Sequence, residues 1–182
     1  MQTSVVARNP MNAKSRATRY SGVSQFYFDN ILRTSIDLGD LNNECNTILD
    51  FGCGHQRLKA LSSNKRIVGY DKIKDFSDID DWTSATFNTF LAIEVFYSMT
   101  VPEIRHVMEI LITREGLEKL VIGTSRLGLL NKLGMIITGN MNAHDYVQTH
   151  PTQEARIIQE YFNVLDARPV YGLCDVVLYG RK

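Results

Sequence analysis

TILDFGCGHQRL, residues 47–58, decides how the rest of the chain is read. An apolar run, residues 47–49, ends on an acid, Asp50. Two glycines follow one residue apart, Gly52 and Gly54, and then polar residues. The run has the make-up of a short buried strand, and residues 57–63 read as a two-turn helix start. A glycine turn between strand and helix lets backbone approach a ligand, because no Cβ intrudes.

Outward from this stretch the pattern repeats. Residues 66–70 (RIVGY) read as a second strand ending on Asp71, residues 87–95 (FNTFLAIEV) as a third, and 120–123 (LVIG) as another. Residues 164–167 and 175–179 form a closing pair, joined through Pro169, Tyr171 and Gly172 by a hairpin-sized connection. Between strands lie helical patterns. Val23, Phe26, Tyr27, Ile31, Leu32 and Ile36 share one face of residues 21–38. Thr100 and Glu103 have capping-box spacing ahead of Ile104, Val107, Met108 and Leu111. Residues 152–162 carry Ala155, Ile158 and Phe162 on one side. Alternating strands and helices predict a mainly parallel sheet covered on both faces, with one antiparallel edge strand from the hairpin.

The 182 residues suit one domain, residues 1–182. Apolar residues make up 44% and charged ones 22%, a globular composition. Twenty basic residues balance twenty acidic ones, so the basic excess of a nucleic-acid binder is missing and no nucleic-acid partner is expected. Arg8, Lys14, Arg16 and Arg19 precede the first acid, Asp29, which reads as a solvated, partly mobile arm over residues 1–20. Cys45, Cys53 and Cys174 lack metal-type spacing and are odd in number, so neither a metal set nor a disulfide framework is expected. The first residues lack a continuous apolar run, and residues 127–137 are interrupted by Asn131 and Lys132. No membrane association is expected, and the default is a cytoplasmic protein.

Two ligand plans share the loop. A dinucleotide fingerprint needs glycine at position 57, where Arg57 stands. The other plan sets an acid two residues before the first glycine, as Asp50 stands before Gly52, and an acid after the second strand, as Asp71. ILDFGCG followed by VGYD resembles the first two motifs of the class I S-adenosylmethionine-dependent methyltransferases. The resemblance runs from Thr47 to the C-terminus. It implies a three-layer Rossmann-like methyltransferase fold, α/β, with a mainly parallel seven-stranded sheet and an antiparallel last strand. It also implies S-adenosylmethionine as cofactor. Gly52 and Gly54 would face its methionine part, Asp50 would bind the ammonium end, and Asp71 would accept from the ribose hydroxyls. Ala92 would lie beneath the sulfonium, and Asp78, Ile79 and Asp80, from DFSDIDDW, would meet the adenine. Two departures stand out. Gln56 occupies the place of the family's last loop glycine, and only fifteen residues separate Asp71 from Phe87, too few for a crossover helix and a full strand. A shortened crossover after the second strand is expected, with its helix lost and a brief strand and loops left.

Methyl transfer from a sulfonium is an in-line displacement whose main demand is alignment, and a base is needed only where the nucleophile must lose a proton. Glu94, after the third strand, and His144, in the irregular stretch NAHDYVQTH, are the candidates for that base. Tyr20, Tyr27, Tyr146 and His150 are candidates for holding a small-molecule methyl acceptor, although His150 also stands where a helix cap would. The expected function is transfer of a methyl group to oxygen or nitrogen of a small molecule. Gln56 and the clipped crossover support an alternative, a catalytically silent methyltransferase-like binding or partner subunit. A dinucleotide-dependent oxidoreductase, the third reading, is opposed by Arg57 and by the closing hairpin.

Overall fold

A computed structural model of the chain describes residues 22–126 and 148–182. The N-terminal arm, Tyr20, His144 and Tyr146 lie outside the described residues. In chain order the elements are α1 (Val23–Gly39), β1 (Ile48–Phe51), α2 (Arg57–Leu61), β2 (Ile67–Tyr70), β3 (Thr89–Ile93), α3 (Val101–Thr113), β4 (Lys119–Ser125), α4 (Pro151–Tyr161), β5 (Phe162–Val170) and β6 (Cys174–Arg181).

The sheet runs β2-β1-β3-β4-β6-β5. β1 lies parallel to β2 and β3 (Ile48 opposite Ile67 and Thr89), and β3 lies parallel to β4 (Leu91 opposite Val121). β6 is antiparallel to both neighbours, with Val121 opposite Leu178 and Val164 opposite Tyr179. The antiparallel strand is therefore not at the edge, as expected from the hairpin alone. It is slotted between β4 and β5, and β5 becomes the edge. Pro169 and a bulge between Val164 and Asp166 interrupt that edge, as edge strands tolerate.

Alternation along the strands divides the core. Leu49, Phe51, Phe90, Ala92, Leu120 and Ile122 pack beneath α3 and α4 with Ile104, Met108 and Ile158. Ile48, Leu91, Val121 and Val176 pack on the other face against Ile31 and Ile36 of α1 and Leu58 of α2. All four residues of β1 are buried, as a central parallel strand covered on both faces requires. α3 opens with the capping box: the Thr100 N–H donates to Glu103 Oε2 at 2.6 Å, with Pro102 in the first turn.

Six strands, not seven, are present among the described residues. The brief strand expected after β2 is replaced by two 3-10 turns, Lys74–Phe76 and Trp82–Ser84. The reason is local chemistry as well as length. Asp81 accepts from the Thr83 N–H at 2.8 Å, and the Ser77 hydroxyl donates to the Ile79 carbonyl at 2.6 Å. Such side-chain bonds compete with a sheet ladder. Trp82 and Ile79 still anchor the segment in the core, Trp82 standing edge-on to Phe51 at 5.3 Å. Among the described residues no helix is long and apolar enough to cross a membrane.

Candidate active site

From β1 the chain passes to β2 on one side and then to β3 on the other, so the strand order reverses between β1 and β3. Ligands of open α/β sheets sit at the carboxyl ends of the strands beside such a switch. The glycine loop lies there. Gly52 has φ +80°, and a Cβ on it would stand 2.4 Å from Cγ2 of Val95. Gly54 has φ +49°, and open space lies where its Cβ would be.

Asp50, at the base of the loop, is 6% exposed, and its carboxylate accepts no hydrogen bond from the described residues. Burial pushes its carboxyl up to about 7; Lys59 opposes this, and Asp71 and Asp78 add to it. Asp71 holds the loop from the second strand. Its Oδ2 accepts from the Gly54 N–H at 3.0 Å and its Oδ1 from the Ile73 N–H at 2.8 Å.

Gln56 replaces a glycine yet adopts a glycine's backbone, φ 55°. Its side chain leaves the loop for the first 3-10 turn. Nε2 donates to the Phe76 carbonyl at 2.8 Å and to Asp78 Oδ1 at 3.0 Å, while Oε1 accepts from Lys59 at 3.0 Å. The Cys53 thiol also donates to the Phe76 carbonyl, at 3.3 Å, and the His55 ring stands edge-on to Phe76 at 4.5 Å. Burial pushes the Cys53 thiol up to about 12. Arg57, the bulky residue at the third fingerprint position, turns outward and forms a two-pronged pair with Asp29 of α1, both contacts 2.7 Å.

The three residues assigned to the adenine end differ in environment. Asp78 is turned under β2, where its carboxylate accepts from the Gly69 N–H at 2.6 Å, from Gln56 and from Lys59. Burial alone would raise its carboxyl, but the bonds from Lys59, Gly69 and Gln56 outweigh it and hold the group below its ordinary value. Ile79 packs against the core, and Asp80 forms a solvent-exposed pair with Lys74. Ala92 is buried in the core beneath α3 and α4.

Across the switch, Glu94 is the most constrained polar residue of the site. It has φ 55°, and its N–H donates to the Gly123 carbonyl at 2.8 Å. Its Oε2 accepts from the Ser125 hydroxyl at 2.6 Å; Oε1 is buried with no partner among the described residues. Burial pushes this carboxyl up to about 7, against the bonds from Ser125 and Cys174. Tyr27 of α1 is half-buried here, and burial, Cys174 and Glu94 all push its phenol upward. Tyr27, Glu94, Ser125 and Cys174 are thus gathered from α1, the residue after β3, β4 and β6. On the other face of β4, the buried Glu154 accepts from the Thr124 hydroxyl at 2.5 Å, and burial pushes it, too, to about 7.

His150 caps α4, its Nδ1 accepting from the Thr152 N–H at 3.3 Å. Ser125, Cys174 and Glu154 were not singled out as site residues in the sequence. Glu154 had a signal: it stands three and four residues before Ile157 and Ile158, on the buried face of α4. Ser125 and Cys174 had none, because they meet only through the register of β4 and β6. Among the described residues no group of three His, Cys, Asp or Glu side chains is placed to hold a metal.

No protein-family model matches the chain, and no curated protein matches it in sequence. The fold is that of the class I S-adenosylmethionine-dependent methyltransferases. The chain is similar to magnesium protoporphyrin IX methyltransferase from Synechocystis PCC 6803, solved with bound SAH, at TM-score 0.65 and 12% identity over 96% of both chains. It is similar to human N-acetylserotonin methyltransferase in complex with SAM, at TM-score 0.59 and 17% identity, over 97% of this chain and 60% of that one. The N-methyltransferase NodS from Bradyrhizobium japonicum WM9 matches at TM-score 0.52 and 15% identity over 96% of this chain and 99% of that one.

Proposed function

We propose that the protein binds S-adenosylmethionine at the carboxyl ends of β1 and β2 and transfers its methyl group to a nitrogen or oxygen of a small molecule. The observation that carries this reading is Asp50, a buried carboxylate that accepts no hydrogen bond from the described residues, beside a loop with open space at Gly54. An ammonium group satisfies such an acid. Asp71 uses its oxygens on two backbone N–H groups, but each carboxylate oxygen has capacity for a further hydroxyl. Asp50, Asp71 and Asp78 oppose one another's charge, and Lys59 is engaged by Asp78 and Gln56. A pyrophosphate would meet net repulsion here, which favours a phosphate-free cofactor over a dinucleotide.

When bound, S-adenosylmethionine supplies an electrophilic methyl group on a positively charged sulfur. The protein's part is to align the acceptor and take up its proton. Glu94 stands beside the switch with a buried carboxyl, suited to a base near neutral pH. Tyr27 borders the same place, and Tyr20, His144 and Tyr146 are sequence-based candidates for the acceptor's remaining contacts. Three free cysteines suit a reducing cytoplasm.

The test is incubation with methyl-tritiated S-adenosylmethionine and a pool of small amines, phenols, alcohols and carboxylic acids. Label transferred to an acceptor supports the reading. Tight cofactor binding with no transfer to any acceptor supports the silent binding subunit instead.

A further inference from the structure

We propose that the methyl acceptor is an amine, bound through an N–H to Oε1 of Glu94. This rests on the methyl-transfer reading above and narrows its acceptor to nitrogen.

Glu94 is built as half of an interaction. Oε2 is satisfied by the Ser125 hydroxyl at 2.6 Å, while the Cys174 thiol donates to the Asp175 carbonyl at 3.6 Å. Oε1 is closed from water and has no donor among the described residues. A buried carboxylate oxygen without a donor is costly, and a donor supplied by a bound ligand would remove that cost. The backbone is committed to this placement as well. Glu94 is held at φ 55° by its N–H bond to Gly123, and Val95 beside it is wedged against Gly52 of the cofactor loop. Left-handed backbone at a residue other than glycine or asparagine persists where surroundings over-determine it, and it collects at functional sites.

The groups around Glu94 decide which acceptor fits. From α1 comes the Tyr27 phenol, from β4 Ser125 and from β6 Cys174, while the charge of Glu154 acts from the other face of β4. Arg126, the nearest cation in sequence to Ser125, is paired with Asp175 through two contacts of 2.6 Å. Among the described residues these surroundings are acidic or neutral. A carboxylate substrate would be repelled, whereas an ammonium group brings both the missing donor and the compensating charge.

The proton and electron balance closes. The ammonium R–NH3+ gives a proton to Glu94, leaving a neutral amine. Its lone pair forms the new N–C bond while the C–S bond of the methyl sulfonium donor breaks, the bonding electrons leaving with sulfur as a neutral thioether. The product is R–NH2CH3+, and Glu94 returns its proton to water.

The test uses the full-length protein saturated with S-adenosylhomocysteine. Thermal shift and calorimetry compare methylamine, benzylamine, 1,4-diaminobutane and aniline with methanol, benzyl alcohol, 1,4-butanediol and phenol. The expected result is binding of at least one amine and of none of the matched alcohols or phenol. In Glu94→Gln the amine binds about ten- to a hundredfold more weakly, while S-adenosylhomocysteine affinity is unchanged. Glu94→Asp is the second variant; it keeps the charge, shortens the reach and weakens the amine less than Glu94→Gln. Unchanged S-adenosylhomocysteine affinity certifies that each variant is folded. Preference for alcohols or phenol, amine binding indifferent to Glu94→Gln, or no amine bound to a protein that does bind S-adenosylhomocysteine overturns the proposal. Failure to bind S-adenosylhomocysteine at all instead removes the reading on which it rests.

Discussion

Replacing Gln56 separates two opposed effects that the loop combines. The side chain makes three hydrogen bonds, to the Phe76 carbonyl, to Asp78 and from Lys59. In a half-buried position each contributes about 0.5–1 kcal/mol, so Gln56→Ala loses about 1.5–3 kcal/mol. None of the partners is stranded, because Phe76 keeps the Cys53 thiol and Asp78 keeps Lys59 and Gly69. Gln56→Gly loses the same bonds but relieves the left-handed backbone at φ 55°, worth about 1–2 kcal/mol. Part of that gain, about 0.4–1 kcal/mol, is returned as added freedom of the unfolded chain. The glycine variant should therefore be more stable than the alanine variant by about 0.5–1 kcal/mol, with both below the parent. For a chain of this size, at about 2–4 °C per kcal/mol, the alanine variant melts about 3–12 °C lower. Urea unfolding followed by fluorescence of Trp82, the chain's single tryptophan and a core residue, reads all three proteins. An alanine variant as stable as the parent, or a glycine variant less stable than alanine, would refute the reasoning.

Two further outcomes follow from the same geometry. Asp50, Glu94 and Glu154 each stand at about 7 in the fold, whereas unfolded carboxylates titrate near 4. Between those values the folded state holds protons the unfolded chain has released, so stability falls as pH rises from about 4 to about 7 and then levels. Denaturation at pH 5 and pH 8 should show the protein more stable at pH 5, with Glu154→Gln reducing the difference and Asp50 and Glu94 keeping the rest; a rise towards pH 8 contradicts it. In the loop, Gly52→Ala combines φ +80° with a Cβ 2.4 Å from Val95 and should cost about 2 kcal/mol or more. Gly54→Ala has open space and should cost only its backbone strain, about 1 kcal/mol, so equal thermal denaturation of the two variants would count against the described loop.

What could be read in the sequence was local. The run into Asp50, the paired glycines and the acid after RIVGY are short-range signals, and the helices of Ile31 and Ile104 follow from spacing alone. The clipped crossover was legible from length, although its replacement by turns also needed the side-chain bonds of Ser77 and Asp81. The slot of β6 was not legible, because a hairpin pattern does not say which of its strands meets β4. Gln56 looked like a damaged glycine position, since neither its backbone angle nor the direction of its side chain is written in residue type. The surroundings of Glu94 were hidden for a similar reason. Ser125 and Cys174 lie 49 residues apart in the chain and become partners only through sheet register.

The central claim is that Asp50 and Asp71 frame a site for S-adenosylmethionine. Calorimetric titration with S-adenosylhomocysteine, with NAD in parallel, tests it most directly. The account predicts micromolar binding of S-adenosylhomocysteine, none of NAD, and loss of binding in both Asp50→Asn and Asp71→Asn, with near-ultraviolet circular dichroism unchanged. Binding of NAD in its place, or S-adenosylhomocysteine binding that ignores both substitutions, would contradict it.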